Sequence, residues 1–215
     1  MKLLVVAATE FEIAPYIFKN AAADILITGV GSPACIYALT KRLQQFKYDF
    51  VIQAGIAGTF KNSFPLGETF FIKSDVFADL GIYENESFFT LFEKGFAEPN
   101  TVPYKNGWLE NSLENTFNIP TAKSITVNTV TDNFLQTSLF TKKYDPDIES
   151  MEGAAFHFVC IQENVSFLQL RSVSNFVGER VKTNWKIKES ITSLNENLLR
   201  IIDQFNKVQH FTINK

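Results

Sequence analysis

Short, continuous apolar runs alternate with helix-period segments along this chain, and several of the runs end in polar clusters. That is the pattern of strands buried in a largely parallel sheet and feeding helices that cover it. Residues 3–8, 24–28 and 49–54 read as buried strands, and Ile36, Leu39, Leu43 and Phe46 keep helical spacing through residues 32–46. Residues 67–76 read as an extended, Phe-rich segment, 84–107 as a polar surface excursion, and 108–117 as a helix leading to a strand at 124–127. The alternation returns with a strand at 147–150, a helix at 152–162, a strand at 166–173 and an amphipathic closing helix at 185–205. The expected fold is α/β, a three-layer sandwich around a mixed, largely parallel β-sheet.

With 215 residues, 46% of them apolar and 22 of them Phe, the chain can bury one large core, so residues 1–215 read as a single domain. Its 23 acidic and 20 basic residues are spread without long runs, which leaves no electrostatic footprint for nucleic acid or an anionic membrane. A small, roughly neutral ligand fits better. Cys35 and Cys160 lie far apart in apolar helical patterns and read as buried, reduced thiols. His157 and His210 match neither a zinc nor a triad pattern, so no metal is expected. The apolar run after Lys2 is cut off by Glu10 and Glu12, too short for a signal peptide. No segment approaches the roughly 18 continuous apolar residues of a membrane helix. A cytoplasmic protein is expected.

Three motifs follow strand-like runs: Ala8-Thr9-Glu10-Phe11-Glu12-Ile13, Glu149-Ser150-Met151-Glu152-Gly153-Ala154-Ala155 and Arg171-Ser172-Val173-Ser174-Asn175. Ligands of open parallel sheets collect beyond the carboxyl ends of strands, so two carboxylates, an arginine and an amide could meet in one crevice. A competing motif, Gly29-Val30-Gly31-Ser32-Pro33-Ala34, matches the degenerate dinucleotide fingerprint. It does not follow the first strand, and Asp49 begins the next strand instead of ending it. A tight strand-to-helix turn explains these glycines at least as well.

Taken in order, Ala8-Thr9-Glu10-Phe11-Glu12, Gly55-Ile56-Ala57-Gly58, Met151-Glu152-Gly153-Ala154-Ala155 and Arg171-Ser172-Val173-Ser174-Asn175 resemble the nucleosidase branch of the purine nucleoside phosphorylase superfamily. Within that branch, Glu149 to His157 and Ser174-Asn175-Phe176-Val177-Gly178-Glu179-Arg180 most resemble futalosine hydrolases, relatives of methylthioadenosine/S-adenosylhomocysteine nucleosidases. The resemblance implies a nucleoside phosphorylase-like fold, a homodimer, no cofactor, and cleavage of futalosine by water to hypoxanthine and dehypoxanthine futalosine for menaquinone synthesis. It implies that Glu12 orients or deprotonates the attacking water and that Arg171 lines the same water site. Met151 would pack against the sugar and Glu152 bind its hydroxyls, with Ala57, Gly58 and Ser174 among the substrate contacts. Taken alone, Glu12 also reads as a solvated acid in a helix first turn, and Glu152 as a cap.

Asn175 stands where the adenine-cleaving nucleosidases carry an aspartate. An asparagine cannot protonate a base, but its two amide hydrogens could serve N7 and a 6-oxo group together, which suits hypoxanthine or guanine better than adenine. A loop turn residue is the plainer reading. Ile56 replaces a serine of the adenine-specific relatives, and Val127-Asn128-Thr129-Val130 offers no aromatic to stack on a purine. Arg180 or Lys182 could neutralise the aryl carboxylate on the 5′ side of futalosine. Neither 8–13 nor 55–60 contains an arginine for a phosphate cradle, although Lys61 follows, so hydrolysis is expected over phosphorolysis. The alternatives are an adenine-type nucleosidase, a phosphorylase, and a nucleoside-binding protein without turnover.

Overall fold

The computed structural model describes residues 1–19, 23–130 and 133–213, with side chains as far as residue 207. In chain order the elements are β1 (Leu3–Ala7), α1 (Glu10–Phe18), β2 (Asp24–Ile27), α2 (Ser32–Gln45), β3 (Phe50–Thr59), β4 (Thr69–Asp75), β5 (Gly81–Glu84), β6 (Ser87–Thr90), β7 (Leu109–Glu110), β8 (Thr121–Thr126), α3 (Phe134–Tyr144), β9 (Ile148–Ser150), α4 (Gly153–Gln162), β10 (Phe167–Phe176) and α5 (Ile187–Ile213). A short 3-10 turn spans Lys182–Asn184.

Strand β1 shows why a continuous apolar run belongs here. Leu3, Val5 and Ala7 pack with Ile13 and Tyr16 of α1 and with Leu194, Leu198 and Ile201 of α5. Leu4 and Val6 point the other way, onto Cys35 and Leu39 of α2 and Ala155, Phe156 and Cys160 of α4. A strand covered on both faces has no solvent side on which to carry polar residues. Cys35 and Cys160 are accordingly free and buried.

The sheet is mixed and largely parallel, but it is not flat. β3 pairs with β1 at its start and with β9 at its end, while β10 runs parallel beside it along residues 51–59. β10 pairs in turn with β4, β4 with β8, and β8 with β9, so five strands close on themselves. Ala57, Phe70, Ile72, Ala122, Ile148 and Val173 pack together, every one of the five strands contributing, and they fill the interior. The result is a partly closed barrel, with β1 and β2 extending from it as an open wing.

Residues 108–117 are not helical. After β7, Asn111 and Asn115 turn their side-chain oxygens onto the backbone N–H groups of Leu113 and Phe117, a local bond that competes with the helix. The Asn111 amide donates to Phe167 O, so the segment is tied across the sheet. Helix α3, which the alternation did not reveal, is capped by the Asn133 side chain accepting from Leu135 N. A hairpin, β5 with β6, leads into the polar excursion, its turn and second strand lying within residues 84–107. No helix among the described residues is long and apolar enough to cross a membrane.

Because β1, β3 and β10 are mutually parallel, their carboxyl ends open on one side. Thr9 and Glu12 follow β1, residues 55–58 end β3, and Ser174 and Asn175 end β10. The fold thus gathers motifs that are far apart in sequence.

Candidate active site

At these strand ends lies a cleft of about 300 Å³ lined by Glu12, Ala57, Gly58, Met151, Glu152, Ser174 and Asn175, together with Glu149, Arg180 and Trp185. A larger cavity of about 1010 Å³ lies between α2 and residues 77–80, but its walls are mainly apolar, and Lys41 and Asp79 are the charged residues lining it. The smaller cleft gathers the carboxylates and the amide.

Thr9 begins α1, and Glu12 reaches back to it: Oε2 accepts from Thr9 N at 3.1 Å and from Thr9 Oγ1 at 3.0 Å. Oε1 accepts from Ile56 N at 3.1 Å. An ionised carboxylate offers about four lone-pair sites, so one acceptor position remains for a ligand or water. Pro15 interrupts α1, and the Asn195 amide inserts at the break, accepting from Tyr16 N and donating to Glu12 O. This holds the turn bearing Glu12 onto α5. Burial pushes the Glu12 carboxyl above its usual range; Arg171 and the Ile56 N–H pull against this, and Glu152 adds to it. A raised pKa makes Glu12 a better proton acceptor than an ordinary carboxylate.

Glu152 sits at the N-cap of α4 without capping it. Its Oε1 instead accepts from Gly31 N at 2.9 Å. Gly31 adopts φ 92°, a left-handed conformation that favours glycine, so the glycine turn that mimicked a dinucleotide fingerprint serves to present an N–H to this carboxylate. The polar partner that an acid in an apolar neighbourhood requires is therefore a backbone group from α2's entry turn, supplemented by Arg171 Nη2 3.6 Å from Oε2.

Arg171 does not line the cleft. It is 1% exposed and lies beneath the floor, where Nη2 donates to Gln53 Oε1 at 3.0 Å. Gly55 makes room for it: any side chain there would run into the guanidinium, with Glu12 Oε1 3.0 Å from the position of the missing Cβ. One buried cation is thus shared between the two carboxylates from below.

Asn175 is held by its neighbours in sequence. Its Oδ1 accepts from Ser174 Oγ at 2.8 Å, and Nδ2 donates to Phe176 O at 2.9 Å. The amide nitrogen is therefore the side available to a ligand, with one hydrogen already engaged, so simultaneous donation to N7 and a 6-oxo group requires release of the Phe176 carbonyl. Ser174 Oγ also lies 3.1 Å from Ala57 O, an alternative acceptor for its single hydrogen.

Gln53, Gly31, Asn195, Thr9 and Trp185 belong to the site and were not assigned from sequence. Gln53 stood out as a polar residue inside the apolar run of β3, and Trp185 was read only as the start of the last helix. Trp185 supplies an aromatic wall that Val127-Asn128-Thr129-Val130 lacks, its Nε1 donating to Glu179 O. Arg180 lines the cleft; Lys182, exposed in the 3-10 turn, does not. Behind the site, His157 is fully buried, its Nδ1 2.9 Å from Leu109 O, and burial holds its pKa down to about 4. The side chain of His210 lies outside the described residues. Among the described residues no group of three or more His, Cys, Asp or Glu could hold a metal ion.

A family model described as the phosphorylase superfamily matches residues 7–207. Futalosine hydrolase of Thermus thermophilus is 27% identical over 182 residues, covering 82% of this chain and 80% of the relative. That of Streptomyces coelicolor is 30% identical over 180 residues, covering 80% and 75%. Among solved structures, futalosine hydrolase of Helicobacter pylori superposes with a TM-score of 0.77 at 16% identity, over 95% of this chain and 98% of that one. The methylthioadenosine/S-adenosylhomocysteine nucleosidase of the same organism, with butyl-thio-DADMe-Immucillin-A, gives 0.78 at 16% identity over the same shares. At that identity the structures speak to the fold, whereas the family match and the curated relatives speak to descent: the chain belongs to the phosphorylase superfamily, in its futalosine hydrolase family.

Proposed function

We propose that this protein hydrolyses the N-glycosidic bond of futalosine, releasing hypoxanthine and dehypoxanthine futalosine in menaquinone biosynthesis. The observation that carries the reading is the pairing of Glu12, which has one acceptor position free beside three fixed donors, with Glu152 across the same cleft. Water held by Glu12 attacks C1′ and gives its proton to that carboxylate as the C1′–N9 bond breaks. The bond's electron pair leaves with the base, which takes up a proton from solvent to give neutral hypoxanthine. Positive charge then develops on the sugar, where Glu152 stabilises it while binding the ribose hydroxyls, and Met151 packs against the ring. Arg171 keeps both acids oriented from below. Asn175 donates to the departing base, whose negative charge spreads toward N7 and the 6-oxo oxygen.

Asn175 is also what favours a 6-oxopurine over adenine. A mismatched buried donor or acceptor costs about 1–3 kcal/mol, a discrimination of roughly ten- to a hundredfold. Arg180, at the cleft wall, suits a carboxylate on the 5′ side. The test is chromatographic detection of free base from futalosine, inosine and methylthioadenosine, each with and without phosphate. Phosphate-independent hypoxanthine release from futalosine is expected. Adenine release in preference would overturn the base assignment, a phosphate requirement would make the protein a phosphorylase, and binding without release would make it a binding protein.

On the same reading residues 1–215 act as one cytoplasmic nucleosidase domain that pairs as a homodimer. Sedimentation at micromolar concentration should give twice the chain mass of 24.4 kDa.

A further inference from the structure

Glu149 of β9 stands directly opposite Gly58 of β3, and Asn175 of β10 stands opposite the same glycine on its other side. Residues opposite one another in a ladder share a face of the sheet. Glu149 and Asn175 therefore rise on one face with only a glycine between them, their Cα atoms about 10 Å apart by strand spacing. Both line the cleft.

The two acids on the sugar side have donors for their oxygens, from Thr9, Ile56, Gly31 and Arg171. Glu149 differs. The residue is 6% exposed, and its Oε2 is buried and meets no donor among the described residues. Burial, with Asp79 adding to it, pushes Glu149 up to about 7. A buried oxygen without a partner is costly in the empty protein, so a donor brought in by the ligand has the most to gain there.

We propose that Glu149 is a specificity-determining residue whose carboxylate accepts a hydrogen bond from N1–H of a 6-oxopurine while Asn175 donates to the opposite, N7 edge. The proposal rests on the 6-oxopurine reading of the site and extends it. A 6-oxopurine carries hydrogen on N1, and that donor favours the ionised form of Glu149, drawing its raised pKa back down in the complex, whereas adenine presents a lone pair that gives the carboxylate no bond. Asn175 and Glu149 then read the two edges of one base, so neither alone sets the selectivity. Glu12, Glu152, Glu179 and Arg180 are the other charged groups lining the cleft.

The test compares futalosine with its N1-methyl derivative, which keeps the 6-oxo group and loses the N1 hydrogen. The wild-type protein should favour futalosine in kcat/KM by roughly ten- to a hundredfold. Glu149→Ala should lose activity on futalosine and little on the methyl derivative, bringing the ratio near one. Glu149→Gln, which keeps an acceptor and the side-chain shape, should retain most of the preference. A ratio unchanged by Glu149→Ala would overturn the role of Glu149 while leaving the 6-oxopurine reading intact. A wild-type protein that releases no hypoxanthine from futalosine would overturn both.

Discussion

Glu12 and Asn175 line the same cleft, yet their positions are fixed in opposite ways. Glu12 is held by Thr9 and by Ile56 N, its turn is pinned by Asn195, and beneath it Arg171 is braced by Gln53 and admitted by Gly55. Those partners come from four separated parts of the chain. Asn175 touches only Ser174 and Phe176 through its side-chain hydrogen bonds. The side of the site proposed to break the bond is thus part of the core, and altering one member disturbs several others. The side proposed to read the base can change its chemistry while leaving the fold alone. Selectivity for the base is the property a single substitution can move.

The largest effect expected is on the Glu12 side. Glu12→Gln keeps a side-chain oxygen for Ile56 N but cannot take a proton from water, so kcat should fall about 10²- to 10⁴-fold with little change in melting temperature. Equal losses in kcat and stability would mean Glu12 is mainly structural. Arg171→Met should lower unfolding stability by about 3–5 kcal/mol in denaturant titration, because two buried carboxylates lose their shared cation. A variant as stable as wild type would break the contrast drawn here.

A third prediction concerns the support behind α4. Asp75 is fully buried, its Oδ1 accepting from Thr126 Oγ1 at 2.9 Å, and the same hydroxyl oxygen accepts from Ala154 N at 2.7 Å, in the first turn of the helix that Glu152 precedes. Burial raises Asp75 to about 6. With the Gln169 amide oriented so that Nε2 faces Asp75, Gln169 Oε1 and His157 Nε2 are both left without partners. Turning that amide over lets a protonated Asp75 donate to Oε1 and lets Nε2 donate to the imidazole, which satisfies all three. A raised carboxyl contributes stability that is complete below the unfolded value of 3.8 and is lost as pH rises through about 6, amounting to about 3 kcal/mol. His157, with its pKa held down to about 4, has the opposite slope: it favours folding above 6.5 and loses that contribution as pH falls toward 4. The difference between wild type and Asp75→Asn isolates the first term. The variant should gain relative stability between pH 4 and 7, and a pH-independent difference would contradict a neutral Asp75.

On the base side, Asn175→Asp should leave the melting temperature within a few degrees and shift the ratio of adenine- to 6-oxopurine-nucleoside cleavage by roughly ten- to a hundredfold toward adenine. An unchanged ratio would remove Asn175 from base reading. Smallest of all, Arg180→Ala should raise KM for futalosine about fivefold at most, as for a solvent-screened ion pair, while Lys182→Ala, outside the cleft, should do nothing.

The sequence was most legible where burial is two-sided. The runs in β1, β3 and β10 announced parallel strands because apolar residues dominate where a strand is covered on both faces, and the motifs at their ends marked the cleft. Arg171 was visible, but not that it would lie under the floor, because that depends on Gly55 and Gln53 meeting it from the next strand. The closure of the barrel was hidden for a similar reason: it depends on β3 pairing with three strands at once, which hydrophobic period does not encode. Residues 108–117 misled because their apolar spacing is helical, whereas Asn111 and Asn115 spend their side chains on local backbone bonds. Glu149 was quoted within a motif but given no role, since nothing in sequence shows that it faces Asn175 across a glycine.

The central claim is that water held by Glu12, and no other nucleophile, cleaves the glycosidic bond. It is tested most directly by running the reaction on futalosine in ¹⁸O-water with phosphate present and analysing the sugar product by mass spectrometry. The account predicts one ¹⁸O at the anomeric carbon, hypoxanthine without label, and a rate independent of phosphate. A sugar 1-phosphate free of solvent label would contradict it.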